Sequence, residues 1–166
     1  MDGEILRLTM RNWPSGVSIV TTQDAHGTQY GMTVSSFTSV SLTPPLVLVC
    51  LSKDSPTTQA LLSNEAFGVV LIDEKRIDLS VRFAGFDPNF PHETDRFQDL
   101  RTFTLVTGAP LLHDAVAVLD CRLWAVYDGS THDIVVGEVV ASQVPEAAPK
   151  PLIYYNRGYY SLENHE

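Results

Sequence analysis

A hydroxyl-rich segment directly after an apolar run is the first place where this sequence could do chemistry. It reads Lys53-Asp54-Ser55-Pro56-Thr57-Thr58, in which Ser55 suits a helix N-cap and Pro56 the first helical position. The first amide N–H groups of a helix have no partner within it and carry partial positive charge. Two interpretations are open: a phosphate site completed by hydroxyls and the Lys53 ammonium, or an ordinary cap beside a solvated lysine.

A second candidate segment is unusually dense in small and hydroxylated residues. It reads Gly31-Met32-Thr33-Val34-Ser35-Ser36-Phe37-Thr38-Ser39. A flat heteroaromatic ring could lie against such a strand and accept hydrogen bonds from its N–H groups and hydroxyls. An ordinary strand whose Ser and Thr side chains face water has the same composition, so both interpretations stay open.

His132 is a third candidate, between Ser130 and Asp133 at the start of an apolar run. It could orient a ligand amide, act as an acid or base, or have no chemical role. No second histidine stands at metal-ligand spacing, no Ser-His-Asp order is suggested and no Gly-x-Gly-x-x-Gly occurs. We therefore expect no metal site, no acyl transfer and no Rossmann cofactor site.

The fourth candidate is an aromatic cluster with one arginine near the C-terminus, Tyr154-Tyr155-Asn156-Arg157-Gly158-Tyr159-Tyr160. It could close over a stacked ring system, with Tyr155 and Arg157 against the ligand, or form a last strand packed on the core. The two interpretations are compatible.

The elements that must position these residues are mostly strands. Runs rich in Val, Ile, Thr, Phe and Tyr predict strands at Val17–Thr22, Tyr30–Ser35, Phe37–Leu42, Leu46–Leu51, Phe67–Ile72, Ala115–Tyr127, Asp133–Val144 and Leu152–Tyr155. Short helices are predicted over Glu4–Trp13, from Ser55-Pro56 to Asn64, and after Asp73 as far as Gly85, with Val144–Pro151 as a loop. Too few helices separate the strands for a parallel sheet, so a mainly β, antiparallel barrel is expected.

The bulk composition limits the class of protein. The 166 residues, 44% of them hydrophobic, predict one domain over residues 1–166. A net charge of −9 argues against a nucleic-acid surface, and the longest apolar run is too short for a membrane span. Cys50 and Cys121 lie in strand-like runs outside any metal spacing, which is typical of reduced thiols in a cytoplasmic protein.

Together these segments resemble the flavin reductase family with the FMN-binding split-barrel fold, which includes reductase components of 4-hydroxyphenylacetate and phenol monooxygenases. The similarity extends from about Met10 to Leu162. It rests on Trp13-Pro14-Ser15-Gly16-Val17, Gly31 to Phe37, Ser39-Val40-Ser41-Leu42, Pro45-Leu46-Val47, Arg82-Phe83-Ala84-Gly85, Asp95-Arg96-Phe97, Gly137-Glu138-Val139 and Pro151-Leu152-Ile153-Tyr154-Tyr155.

The resemblance implies an antiparallel split barrel with a few short helices and a role for most of the candidate residues. The implied flavin contacts are Met32, Thr33, Val34, Ser35, Ser36 and Phe37 for the ring and ribityl chain, Cys50, Leu51 and Ser52 beside it, Lys53, Ser55 and Thr57 for the phosphate, and Phe83, Ala84 and Gly85 from the neighbouring helix. His132 is implied to place the nicotinamide. The family also usually forms homodimers.

One departure from the family concerns the segment around His132. The family typically reads Gly-Asp-His-Thr where this chain reads Ser130-Thr131-His132-Asp133, so the carboxylate lies on the other side of the histidine. A carboxylate near the ribose would repel a 2′-phosphate and thereby affect the choice of dinucleotide. The stretch Phe86 to Thr94 also looks longer or more irregular than in the family.

The resemblance implies an NAD(P)H:flavin oxidoreductase that reduces FMN or FAD at N5 and supplies it to a separate monooxygenase. Two alternatives are a split-barrel flavoprotein with tightly bound FMN that reduces another acceptor, and a non-catalytic flavin-binding module. FMN and FAD, and NADH and NADPH, are not distinguished by the sequence.

Overall fold

The strands and helices below come from a computed structural model that describes residues 2–91, 94–113, 115–146 and 149–163. The helices are α1 (Gly3–Met10), α2 (Pro56–Asn64) and α3 (Ile77–Phe83). The strands are β1 (Ser15–Gly16), β2 (Ser18–Gln23), β3 (Gln29–Val34), β4 (Thr38–Leu42), β5 (Pro45–Ser52), β6 (Ala66–Leu71), β7 (Thr102–Phe103), β8 (Leu111–Leu112), β9 (Ala117–Gly129), β10 (His132–Gln143), β11 (Ile153–Tyr155) and β12 (Gly158–Tyr160).

The largest sheet has seven strands in the order β3-β2-β6-β9-β10-β5-β4, and every neighbouring pair is antiparallel. The prediction of a mainly β, antiparallel chain is therefore confirmed. The two edge strands, β3 and β4, are separated by only three residues of chain. Because so short a connection cannot span a flat seven-stranded sheet, the sheet bends until its edges approach each other. Ser55, shortly after β5, accordingly lies with its Oγ 3.6 Å from Met32 Sδ of β3.

Strands β2 and β6 are buried on both faces. Ile19 and Val70 belong to one apolar cluster and Val20 and Val69 to another, because successive side chains of a strand point to opposite faces. The buried hydroxyls of this region have partners; Thr22 Oγ1, for example, donates to the Ala66 carbonyl at 2.7 Å. This part of the sheet, next to the β3 edge, is thus packed on both faces.

The predicted elements agree with the structure apart from their ends and the shortest strands. Helix α3 terminates as expected at Gly85, which has φ of +78°. Three strands of two residues, β1, β7 and β8, had no sequence prediction, since they are too short to show a period. Strand β12 lies in the aromatic segment Tyr154–Tyr160, for which a last strand was one of the two interpretations. The predicted loop Val144–Pro151 includes residues 147 and 148, which lie outside the described residues.

Two surface features remain without a partner surface in the described chain. Helix α1 buries none of its residues, although it carries Ile5, Leu6, Leu8 and Met10. On β4, Val40 and Leu42 are likewise exposed. Among the described residues no helix has the length and apolar character that a membrane crossing requires.

Candidate functional site

A cavity of about 1140 Å³ lies where the edge strand β3 meets the start of α2. Its lining comes from the β2–β3 turn and β3 (Gly27, Thr28, Gln29, Tyr30, Gly31, Met32, Thr33), the β5–α2 junction (Ser52, Asp54, Ser55, Pro56, Thr57), and the segment from the end of α3 onward (Phe83, Ala84, Phe86, Thr94, Asp95, Arg96, Phe97). The first two groups form one wall, which we call the strand wall, and the third group forms the loop wall.

The start of α2 gives the strand wall its anion-binding character. Ser55 is the N-cap, with Oγ accepting a hydrogen bond from Thr57 N at 3.2 Å, and Pro56 is the first helical residue. Thr58 Oγ1 donates to the Ser52 carbonyl at 2.8 Å and so fixes the junction before the helix. The positive end of the α2 dipole and the Ser55 and Thr57 side chains therefore lie at the cavity, as a phosphate requires.

Strand β3 contributes the long side of the strand wall. Thr33 Oγ1 donates to the Ser80 carbonyl of α3 at 2.7 Å, and the Ser80 hydroxyl lies 2.8 Å from Tyr159 Oη. These bonds connect β3, α3 and β12. The backbone of β3 is thus held against α3, which fixes the position of this side of the cavity.

The loop wall is held by two buried aromatic rings. Phe83 and Phe97 are 1% and 5% exposed, and their rings make an edge-to-face contact with centroids 5.0 Å apart. Gly31 of β3 lies directly against them, since a Cβ at this position would be 2.7 Å from Phe83 Cε1. The strand and loop walls therefore meet at Gly31, where a larger side chain has no room.

Two arginines fasten the loop wall to regular structure. Arg96 Nη1 donates to the Phe83 carbonyl at 3.0 Å, and burial lowers the pKa of this guanidinium. Arg82 donates to the Gln98 carbonyl and lies 3.5 Å from the centroid of the Phe90 ring. Burial also lowers the pKa of Arg82, opposed by the nearby Asp87 and Asp95 carboxylates.

His132 lies beside the cavity but does not line it. It is exposed, its Nδ1 lies 2.9 Å from Thr131 Oγ1, and it pairs across strands with Ser52. Directly opposed residues of antiparallel strands point to the same face, so His132 shares a face with a cavity-lining serine.

The Lys53 ammonium is paired with carboxylates, and Lys53 does not line the cavity. Its Nζ bonds Asp128 and lies 3.8 Å from Asp133 Oδ1, so two carboxylates share one ammonium. The hydrogen bond from Lys53 lowers the pKa of Asp128, and the same bond raises the pKa of Lys53. The ion pairs join the tip of the β9–β10 hairpin to the β5–α2 junction.

The predicted site residues fall into two sets. Those that line the cavity are Met32, Thr33, Ser52, Ser55, Thr57, Phe83 and Ala84. Those that do not line it are Val34, Ser35, Ser36, Phe37, Cys50, Leu51, Lys53, Gly85, His132, Tyr155 and Arg157. Val34 and Leu51 belong to the apolar core instead, and the Ser36 hydroxyl bonds the backbone of Cys50 at 3.0 Å. The ligand contacts of both sets remain predictions.

Sequence reasoning missed the part of the cavity formed by Gly27 to Tyr30, Phe86 and Thr94 to Phe97. The segment Asp95-Arg96-Phe97 belongs to the family resemblance, but no property of its residues indicates a cavity. Only the packing of residues distant in sequence brings it opposite β3.

Comparisons with known proteins give the class of this chain. It matches the flavin reductase like domain over residues 10–163, and it belongs to this family. It is 38% identical to an NADH flavin reductase of Kitasatospora aureofaciens, over 96% of this chain and 81% of that protein. It is 32% identical to the reductase subunit HsaB of a flavin-dependent monooxygenase of Mycobacterium tuberculosis, over 98% of this chain and 84% of that protein.

A solved structure matches the fold. The NADH:FAD oxidoreductase of Streptomyces globisporus, in complex with NAD and FAD fragments, superposes with a TM-score of 0.86 at 32% identity. The match covers 98% of this chain and 93% of that one.

Proposed function

We propose that this protein is an NAD(P)H-dependent flavin reductase that reduces FMN or FAD and supplies it to a separate monooxygenase. The observation that carries the proposal is the cavity that joins a capped helix N-terminus to the open edge of β3. Family membership and the relatives named as NADH flavin reductase and monooxygenase reductase subunit support it.

The cavity has the chemistry and the room that a riboflavin phosphate requires. Its volume of about 1140 Å³ is larger than the ~300–1,000 Å³ typical of small-molecule pockets, so a ligand of that size would fit. The Ser55 and Thr57 end of α2 would hold the phosphate, and the β3 backbone around Thr33 would lie along the ring. Phe83 and Ala84 would close the site from the loop wall.

The protein contributes orientation to the reaction. A bound flavin supplies the hydride acceptor, N5, so hydride transfer from a dihydronicotinamide needs no protein acid or base. The Thr33 and Ser80 bonds fix β3 against α3, so the strand along which the ring would lie has a set position that would limit how the ring can tilt. Backbone N–H groups at the strand edge would stabilise negative charge that develops on the ring edge.

His132 is proposed to place the nicotinamide. Its cross-strand pairing with Ser52, which lines the cavity, supports this role. A His132→Ala variant should raise the KM for the dinucleotide with little change in the KM for flavin. An unchanged KM for the dinucleotide would contradict this role of His132.

We further propose that the bent seven-stranded sheet is the split barrel of this family and that residues 1–166 form one such domain. Since the edge strands β3 and β4 are consecutive in the chain, closure is the natural arrangement of the sheet. We propose that the exposed apolar side chains of α1 and β4 are covered by a second copy in a homodimer, which sedimentation of the purified protein would test.

The activity is tested by following NADH and NADPH absorbance with and without FMN, FAD or riboflavin in substrate amounts. The proposal expects oxidation that depends on added flavin. Oxidation without added flavin would indicate a tightly bound prosthetic group, and no oxidation under any condition would indicate a non-catalytic flavin-binding module.

A further inference from the structure

Ser80 of α3 joins the two walls of the cavity through its main-chain carbonyl. This oxygen accepts hydrogen bonds from Thr33 Oγ1 on β3 at 2.7 Å and from Ala84 N at the end of α3 at 3.0 Å. Thr33 lines the strand wall and Ala84 lines the loop wall. A displacement of the Ser80 carbonyl would therefore change the position of both residues.

The side chain of Ser80 is held by a residue outside the cavity. Ser80 is fully buried, and its hydroxyl lies 2.8 Å from Tyr159 Oη, its hydrogen-bond partner in the part of the chain that the structure describes. The Tyr159 ring packs against the apolar cluster that contains Phe83 and makes an edge-to-face contact with Tyr154, with centroids 5.6 Å apart. Because Tyr159 does not line the cavity, it can affect a ligand there only through the residues that it contacts.

The strand that carries Tyr159 has a fixed register. Strands β11 and β12 are joined by the two-residue turn Asn156-Arg157, where φ is +45° and +65°, as in the type I′ turns of tight hairpins. Strand β11 also pairs with β1, and Asn156 N donates to the Arg11 carbonyl at 3.1 Å. The hairpin is thus tied to an earlier part of the chain, and Tyr159 meets Ser80 from a supported position.

A serine hydroxyl in a helix has a second possible partner. It can bond the carbonyl four residues earlier, and this bond often bends the helix. For Ser80 that group is the Arg76 carbonyl, which accepts a long hydrogen bond of 3.4 Å from Ser80 N. A buried hydroxyl is costly to leave without a partner, so loss of the Tyr159 bond would turn the Ser80 hydroxyl toward Arg76. The bond to Tyr159 therefore keeps this turn of α3, and with it the Ser80 carbonyl, in place.

We propose that Tyr159 is a positioning residue for the flavin ring and that it acts through the Ser80 hydroxyl. This inference rests on the proposed function, in which the ring lies along β3 near Thr33 and Ala84 closes the site. Tyr159 fixes Ser80, and the Ser80 carbonyl fixes Thr33 and Ala84 relative to each other. The network serves the ring and not the phosphate, since the proposed phosphate site belongs to α2.

The experiment measures the dissociation constants of FMN and riboflavin by the quenching of flavin fluorescence. Tyr159→Phe removes one hydroxyl and keeps the ring that packs on the core. Both dissociation constants should rise about fivefold, the effect of losing roughly one hydrogen bond. The matched control is Tyr160→Phe, which removes the hydroxyl of a tyrosine that is 50% exposed and has no side-chain hydrogen bond within the described ranges. Both constants should stay within twofold of wild type in the control.

A double variant separates positioning from a general loss of structure. In Ser80→Ala/Tyr159→Phe the hydroxyl that would turn toward Arg76 is absent, while the main-chain carbonyl that Thr33 and Ala84 bond is retained. Removing both partners of a buried hydrogen bond costs far less than removing one. The double variant should therefore bind both flavins within twofold of wild type, and its turnover of NADH with FMN should recover as well.

Each outcome decides a different point. Wild-type affinity in Tyr159→Phe, a loss of affinity for FMN alone, or a double variant that binds no better than Tyr159→Phe would overturn the inference while the reductase activity stands. A wild-type protein that binds flavin but oxidises neither NADH nor NADPH would refute the proposed activity without affecting the comparison of binding. A wild-type protein that binds neither flavin would refute both.

Discussion

The two walls of the cavity are built in different ways. The strand wall consists of β3 and the start of α2, whose backbone groups are satisfied by regular pairing and by the Ser55 cap. The described residues of the loop wall are held mainly by side chains: two packed aromatic rings and the arginines Arg82 and Arg96. A wall held by side chains depends on a few residues, and each of them should matter more to stability.

The two walls also present different kinds of side chain. The strand wall presents backbone groups and small hydroxylated residues, which suit a ring and a phosphate common to all flavins. The loop wall presents the exposed Phe86 ring and the Arg96 guanidinium.

The largest expected loss of stability comes from the aromatic pair of the loop wall. Phe97 is 5% exposed and packs on the Phe83 ring. Phe97→Ala should lower the free energy of unfolding by about 3–5 kcal/mol, because it opens a cavity in the core. Urea denaturation measures the change. Phe86→Ala, at an 80% exposed ring, is the control and should stay within about 0.5 kcal/mol. Similar losses in both variants would contradict the distinction between the two rings.

A smaller loss is expected where the walls meet. Gly31→Ala would place a Cβ 2.7 Å from Phe83 Cε1 and 3.2 Å from Phe97 Cζ, and overpacking of this kind costs about 1–3 kcal/mol. Thermal unfolding monitored by circular dichroism tests this. At Gly16 an added Cβ would have no atom within 4 Å, so Gly16→Ala should not destabilise the fold. A neutral Gly31→Ala variant would show that the walls are not in close contact.

On the strand wall, Ser55→Ala should cost about 1 kcal/mol of stability, because Thr57 N loses its acceptor. The variant should also lose more affinity for FMN than for riboflavin, which has no phosphate, since the phosphate end of the helix is altered. Ser63→Ala changes an exposed serine near the other end of α2 and should be neutral or slightly stabilising. If both variants behave alike, Ser55 is not a functional cap.

The smallest effect concerns the ion pairs beside the strand wall. Lys53 has a pKa above its ordinary value of 10.5, chiefly through the hydrogen bond to Asp128, so Asp128→Asn should lower it. Asp133→Asn should lower the pKa of Lys53 less, because Asp133 acts only at a distance of 3.8 Å. NMR titration of Lys53 in the two variants measures both changes in pKa, and a larger decrease in Asp133→Asn would contradict this order.

The pH range of this ion pair follows from the two shifts. Asp128 has a pKa below its ordinary value of 3.8, so its contribution is present above that value and is lost as the pH falls through the lowered pKa. The contribution of Lys53 is present below its ordinary pKa and is lost as the pH rises through the raised one. Since the pair is exposed, its effect on stability is small.

Several parts of the site could be predicted from local sequence. The Ser55-Pro56 start of α2 was predicted because cap chemistry involves only neighbouring residues. The end of α3 at Gly85 follows from the same kind of local rule. The placement of His132 opposite Ser52 could not be predicted, because cross-strand register depends on how β5 and β10 pair.

The sequence by itself determined the order of strands and short helices, the cap of α2 and the resemblance to flavin reductases, since these depend on residue types at short spacing. Only the tertiary structure decided that Phe86 and Arg96 face β3 across the cavity and that Lys53 is bound to Asp128. The physical reason is that such contacts join residues far apart in the chain, and they form only when the strands have paired and the segment after α3 has packed on β3.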